Sequence, residues 1–309
     1  MPELPEVEIL RRHLEPLLKG RTVRHVTVRR AKVLGKTPVR DFKRRLQGAT
    51  FQKLERRGKF LLFELKTVRA SDRGRLVGHL GMAGRMYLQA AGAKLPKHAV
   101  VVFNLGRRNF VFEDTRYFGR LTFDDRSLAR LGPEPLGPEC TTAYLAAALK
   151  RSSQAIKVKL LDQSLVAGVG NIYASEILFR AGISPRVAAN RLTLAQVQRV
   201  GAATRAVLQD AIAGGSTIPL DWAGEGTKDG WFYFGRTTET PDYYTERLQV
   251  YDRQGQPCPV CGTGIRRLVQ AARSTFYCPN CQRCTLTDNL SKRLSKKRVE
   301  AKRGAFQRR

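Results

Sequence analysis

Two cysteine pairs, Cys258-x-x-Cys261 and Cys278-x-x-Cys281, with sixteen residues between them, constrain this chain more than any other feature. Four thiolates at that spacing close a tetrahedral zinc site between two knuckles of a β-hairpin. All four ligands come from the protein, so no position stays open for chemistry; the spacing predicts one structural Zn2+. The other reading of these thiols is unliganded or redox-active cysteine. Cys284 lies three residues past Cys281 and could compete as a ligand, but the symmetry of the two pairs favours the other four. Cys140 is expected to pack in or near a linker. Arg266, Arg267 and Arg273 lie between the knuckles and make the hairpin basic.

Charge narrows the partner. Lys plus Arg number 56 against 26 Asp plus Glu, a net charge of +30 over 309 residues. Such a balance points to a polyanion, with nucleic acid as the default. An anionic membrane is the rival, but the chain has neither an amphipathic basic helix nor a lipidation motif. No apolar run is long enough to span a bilayer. The start, MPELPEVEIL, lacks the basic and apolar regions of a secretory signal, so a cytoplasmic protein is expected. Cysteines in a reducing compartment suggest metal or core packing before disulfides.

The chain divides by pattern. Leu4, Val7, Leu10, Leu14, Leu17 and Leu18 recur at helical spacing, and Gly20 ends that helix. Short Val-, Phe- and Leu-rich runs follow at 22–29, 59–65, 75–80, 85–88, 98–105, 109–113 and 119–123, predicting an antiparallel β-sandwich. Residues 1–131 therefore read as one domain and the Pro- and Gly-rich 132–140 as a linker. Helices are expected at 141–150, 154–162, 171–181 and 193–213, within a domain of 141–247 whose end, 217–247, is a long loop carrying Trp222, Trp231, Tyr233 and Phe234. The zinc module spans 248–284. A basic tail, 285–309, is too poor in large apolar residues to bury a core.

The first residues carry their own chemistry. With Met1 removed, Pro2 presents a secondary amine, and an α-amino group has a reference pKa of about 7.7–8.0. A helix N-terminus disfavours its protonated form, leaving a neutral fraction that can attack an electrophilic carbon. Glu3 and Glu6 lie beside it and could move protons. A Met-Pro start followed by acids is also simply how many helices begin.

A set of ordered motifs bears on that choice: MPELPEVE at the start, GKFLL at 58–62, HLGMAGR at 79–85, DTRYFGR at 114–120 and LGPEPL at 131–136. VAGVGNIYASEILF at 166–179, GGST at 214–217, LQVYDRQGQPCPVCG at 248–262 and STFYCPNCQ at 274–282 continue it. In these the chain resembles the bacterial formamidopyrimidine-DNA glycosylases, over residues 1 to about 284. The resemblance implies an α+β fold: a two-layer β-sandwich with a flanking helix, a helix–two-turn–helix domain and a C-terminal zinc finger. It implies excision of 8-oxoguanine and ring-opened purines from double-stranded DNA by a monomer, followed by lyase cleavage. Pro2 attacks C1′, and the Schiff base undergoes β- and δ-elimination. Glu3 is similar to the family's acid/base residue, Glu6 to a supporting acid, and Lys59 to a strand lysine contacting the phosphate beside the lesion. Asn171, whose preceding glycines permit close backbone approach, Lys157, His98, Arg116 and Arg273 are the implied DNA contacts. Met82, Arg116 and Phe118 match the trio that fills the void left by an everted base.

Two departures stand out. Thr115 and Tyr117 replace the proline and arginine usual in the family's DPRRFG motif, and 217–247 is longer than usual. Two other readings remain open. One is an endonuclease VIII-like enzyme for oxidised pyrimidines, against which stand Pro2-Glu3-Leu4 and the Met82, Arg116 and Phe118 set. The other is a non-catalytic zinc-ribbon DNA binder, which would need neither Pro2-Glu3 nor Lys59.

Overall fold

The computed structural model describes residues 2–67, 74–214 and 248–283. Its contacts separate the chain into two compact units, each assembled from non-contiguous segments. Among the described residues, the first comprises 2–67, 74–141, 160–170, 204–214 and 248; the second comprises 142–159, 171–203 and 249–283.

In the first unit, helix α1 (Leu4–Leu18) opens the chain. Its leucine stripe is buried, with Leu4, Val7 and Leu14 all at 0% exposure. After it come β1 (His25–Val28), α2 (Val39–Leu46), β2 (Thr50–Arg57), β3 (Phe60–Lys66), β4 (Arg75–His79), β5 (Gly84–Ala90), β6 (Ala99–Asn104), β7 (Arg108–Asp114) and β8 (Arg120–Thr122). They form two four-stranded antiparallel sheets, ordered β1-β6-β7-β5 and β2-β3-β4-β8. Phe51, Phe63, Phe103 and Phe110 meet between the sheets with centroids 5.3–6.3 Å apart, mostly tilted or edge-on, as ring quadrupoles favour.

Two elements escaped the sequence pattern. β2 carries only Phe51 and Leu54 as buried apolar residues, three apart, which breaks the two-residue alternation of a strand. The register supplies the reason: Phe51 pairs with Leu65 and Lys53 with Glu64, so Gln52 is a bulge that turns Leu54 back to the core side. α2 is short and rich in Arg and Lys, and it buries just Phe42 and Leu46, one turn apart.

The 132–140 segment is fastened along its length to the first unit. Gly132 donates to the Gln163 carbonyl, the Pro133 carbonyl accepts from Ala167, and Arg205 reaches the carbonyls of Gly137 and Cys140. Cys140 is buried there, and burial pushes its thiol pKa up.

The second unit holds α3 (Thr142–Lys150), α5 (Asn171–Arg180), parts of α4 (Ile156–Leu160) and α6 (Leu194–Ala213), and the hairpin β9 (Arg266–Gln270) and β10 (Arg273–Tyr277). α4 is shorter than the expected 154–162; Ala155 instead bridges Ala188 and Ile156 donates to the Val187 carbonyl. The hairpin turns on Ala271 and Ala272, both at positive φ (47° and 57°), where glycine or asparagine is usual. Met1, the loop 217–247 with its four named aromatics, Cys284 and the tail 285–309 lie outside the described residues.

Candidate active site and nucleic-acid interface

The start of α1 is built as a socket. Glu3 caps the helix, and its N–H donates to the Glu6 carboxylate at 2.7 Å, completing a reciprocal capping box. Both carboxylates are buried, Glu3 at 2% and Glu6 at 0% exposure. The loop 168–170 closes over them. Leu4 donates to the Gly168 carbonyl, and a Cβ on Gly168 would sit 2.6 Å from that of Leu4. A Cβ on Gly170 would sit 2.3 Å from the carboxyl carbon of Glu3. The close approach that these glycines permit is therefore to Glu3 and Leu4 of α1.

Lys59 occupies the tight turn between β2 and β3, with Gly58 at φ 56°, so it precedes the strand and does not lie on it. It is 7% exposed, unlike a solvated strand end. Glu134 fixes that turn by accepting from Gly58 N–H at 2.6 Å and from the guanidinium groups of Arg56 and Arg57. Arg56 also meets Glu8 of α1, 3.1 Å away. His79 pairs with Phe60 across the sheet, and the two rings meet tilted at 49° with centroids 4.8 Å apart. Burial, followed by the charges of Lys59 and Arg120, holds His79 down at about 4, so the ring is neutral at pH 7. Its Nδ1 accepts from Gly81 N–H, which places the imidazole proton on Nε2.

Gly81 begins the turn that carries Met82. At φ 64° it lies so close to the next loop that a Cβ would be 2.6 Å from the Gly119 nitrogen. That loop runs from Asp114 to Gly119. Asp114, fully buried, accepts from Arg116 N–H and Gly119 N–H. Met82 and Phe118 are about half exposed (46% and 51%), large apolar side chains held in solvent rather than in the core, and the Arg116 guanidinium lies 5.3 Å from the Phe118 ring centre. His98 grips the loop twice: its carbonyl accepts from Asp114 N–H, and its Nδ1 meets the Tyr117 hydroxyl.

In the second unit, Lys157 is fully buried and hydrogen-bonds Asn171 Oδ1, while Asn171 Nδ2 donates to the Ser274 carbonyl at 3.0 Å. The pair thus fastens onto the residue after Arg273, which stands exposed at the start of β10. The Sγ atoms of Cys258, Cys261, Cys278 and Cys281 all lie within 4.8 Å of one another, with three pairs at 3.4–3.8 Å. Tetrahedral zinc with Zn–S of about 2.3 Å needs sulfurs about 3.8 Å apart, so the four fit one ion. Cys281 N–H points at Cys278 Sγ, the knuckle contact that steadies a thiolate ligand.

Comparison with known proteins gives three consecutive family matches: the formamidopyrimidine-DNA glycosylase N-terminal domain at 1–121, the H2TH domain of the same enzymes at 131–221, and the zinc finger found in FPG and IleRS at 255–283. The Burkholderia cenocepacia formamidopyrimidine-DNA glycosylase is 42% identical over 294 residues, covering 92% of this chain and 100% of that one. The chain belongs to the formamidopyrimidine-DNA glycosylase family. The Listeria innocua enzyme is 37% identical, with 92% and 100% covered. Among solved structures, a complex of the Lactococcus lactis enzyme with DNA containing an abasic site matches with TM-score 0.79 at 31% identity, covering 91% of this chain and 100% of that one. The same enzyme with Fapy-dG-containing DNA matches with TM-score 0.78 and the same identity and coverage.

Family membership bears out the expected architecture of sandwich, helix–two-turn–helix and zinc finger. The structure adds residues that the sequence reading did not single out. Glu134 and His79 support the turns of Lys59 and Met82. Glu176, almost wholly buried in α5, accepts backbone N–H bonds from Gln249, Val250 and Tyr251 and so anchors the entry to the zinc module. The one available signal for Glu176 was an acid inside an otherwise apolar helix.

Proposed function

We propose that this DNA-repair glycosylase excises oxidised purines, 8-oxoguanine and formamidopyrimidines, from double-stranded DNA and then cuts the backbone, with the Pro2 amine as nucleophile. The observation that carries this reading is the socket at the start of α1. The residue after Pro2 is a buried glutamate whose carboxyl lies so close to Gly170 that any side chain there would displace it. A helix cap alone does not require that confinement; an acid serving the neighbouring amine does.

Once Met1 is removed, the Pro2 nitrogen lone pair bonds C1′ as the bond to the base breaks; the base leaves with the electron pair of the broken bond and takes up a proton, and the nitrogen gives up its own proton. The sugar ring oxygen then takes a proton and departs from C1′. A secondary amine can only give a charged iminium, which acidifies C2′–H. Loss of that proton expels the 3′ phosphate, and a second elimination expels the 5′ phosphate. Glu3 is the group that moves protons, and Glu6 holds it through the helix cap. Lys59, His98, Lys157, Asn171 and Arg273 take phosphates, a role suited to their charge and amide chemistry. Met82 and Phe118 enter the space vacated by the everted base, with Arg116 on the orphaned partner. Cys258, Cys261, Cys278 and Cys281 hold a zinc that supplies folding energy to the finger. The place of work is the bacterial chromosome, within the cytoplasm.

The deciding experiment is borohydride trapping on duplexes carrying 8-oxoguanine or thymine glycol. A covalent adduct mapping to Pro2 with the first duplex is the expected result, and Glu3→Gln should abolish base excision. An adduct on a lysine would refute the nucleophile; preference for thymine glycol would move the chain to the pyrimidine-specific reading.

A further inference from the structure

The end of the sandwich away from the catalytic socket holds a second feature. A pocket of about 600 Å³ has a floor of Leu17, Leu88 and Leu105 and a rim of Arg21, Arg24, Arg107 and Arg108. Two rulers measure its remoteness. Leu17 is thirteen residues along α1 from Leu4, about 20 Å at the helical rise. Arg108 and Asp114, the root of the Phe118 loop, are the two ends of β7, again about 20 Å apart. Among the described residues, none of the four guanidinium groups makes an ion pair.

The arrangement is built in advance. Gly106, at φ 98°, leaves room for the Arg24 guanidinium, whose atoms lie 3.1–3.3 Å from where a Cβ would be. Gly106 N–H donates to Asn104 Oδ1, Asn104 Nδ2 donates to Asn109 Oδ1, and Asn109 Nδ2 donates to the Ala91 carbonyl. Leu105 N–H closes the turn on the Arg108 carbonyl at 2.9 Å. Asn109 is 7% exposed, and a buried amide is costly unless bonded. Here its bonds hold a turn that contributes nothing to the catalytic socket.

We propose that this pocket docks an acidic peptide segment of a partner protein, one with an apolar side chain beside its carboxylates. Guanidinium groups match carboxylates in a planar, two-bond geometry. A recessed leucine floor within a charged rim is the composition of an interface anchor site. Duplex DNA offers phosphates but no apolar group able to reach that floor, so the leucines favour peptide over nucleic acid.

The test uses the full chain and a fluorescent peptide, Asp-Asp-Asp-Leu-Phe, with Asp-Asp-Asp-Ser-Ser as its matched control, followed by anisotropy at moderate salt. The apolar peptide should bind at least tenfold tighter than the control. Arg24→Ala with Arg107→Ala should weaken it at least tenfold, and Leu105→Ser should erase its advantage over the control. Thermal melts of both variants check folding, and single-turnover excision should be unchanged. Equal binding of the two peptides, or binding indifferent to these substitutions, would show only the attraction of a +30 chain and overturn the proposal. Loss of undamaged-duplex binding in the arginine variant, with peptide binding intact, would make the pocket a DNA surface and overturn it equally.

Discussion

The Tyr117 hydroxyl lies 3.1 Å from Nδ1 of His98, although Tyr117 stands where the family usually has arginine. The tyrosine sits at φ 56°, a strained conformation for a residue with a Cβ, and the Arg30 guanidinium lies 5.2 Å from its ring centre. Arg116 and Phe118 flank it directly, so the hydrogen bond fixes the loop that presents both. Tyr117→Phe keeps the ring and loses about 1 kcal/mol of loop stabilisation. Excision of 8-oxoguanine from a paired duplex should fall several-fold, while cleavage at a ready-made abasic site, which needs less unstacking, should hardly change. Equal losses in the two single-turnover assays would mean that Tyr117 merely stabilises the fold.

Gly170→Ala should act through Glu3. The added Cβ must displace the Glu3 carboxyl, whose carbon and two oxygens would lie 2.3–2.7 Å from it. A displacement of about 1 Å costs a proton-transfer step on the order of 100-fold. Single-turnover base excision should drop by that factor while affinity for uncleaved lesion duplex stays within a few-fold.

Acid should destabilise the first unit in two steps. His79 is depressed from 6.5 to about 4 by burial and by the charges of Lys59 and Arg120. Burial pushes Glu8 upward, but hydrogen bonds from Arg11 and Arg12 and the charges of Arg11 and Arg56 outweigh it, bringing Glu8 from 4.5 to about 2. Both groups bind fewer protons folded than unfolded, so each adds stability above its unfolded pKa and loses it as pH falls towards the folded value. The melting temperature should decline from pH 6.5 to 4 and again below 4.5. His79→Gln should flatten the upper limb. Glu8→Gln should flatten the lower one and cost about 2 kcal/mol at pH 7.

Metal and DNA contact should separate in the finger. Cys278→Ser should release one zinc by mass spectrometry and weaken duplex binding at least tenfold, since so small a hairpin folds on its ion. Arg273→Ala should keep the zinc and reduce the magnitude of the log-affinity against log-salt slope by about 0.9.

The Ala271–Ala272 turn is an opportunity for stabilisation. Left-handed backbone costs about 1 kcal/mol or more per alanine. Ala271→Asn with Ala272→Gly should therefore raise the melting temperature of the zinc-loaded protein by a few degrees, as read by calorimetry.

What the sequence revealed was local. The cysteine ligands are spaced within one hairpin, and the α1 stripe repeats every turn, so both announce themselves. β2 was hidden because the bulge at Gln52 breaks its alternation. Glu134 was hidden because the groups it binds, Arg56 to Gly58, lie 76 to 78 positions away, and nothing in LGPEPL hints at them. The GVG glycines were legible as a close approach, but not its partner, since Glu3 and Leu4 stand at the far end of the unit's sequence. Tyr117 was visible as a departure, yet its bond to His98 depends on the pairing of β7 with β6.

The grip of Gly168 and Gly170 on Glu3 and Leu4 has a consequence for how the enzyme comes into being. Glu3 is synthesised well before the loop that confines it, which is made about 160 residues later. At synthesis rates of roughly 5–20 residues per second, this leaves an interval on the order of ten seconds or more in which the helix start is not yet enclosed. The helix start then becomes enclosed, and the Glu3 carboxyl takes up its confined position only when the 168–170 loop is present. The confinement of Glu3 is thus a late event in the making of this unit, set by a loop about 160 residues downstream of the side chain it encloses.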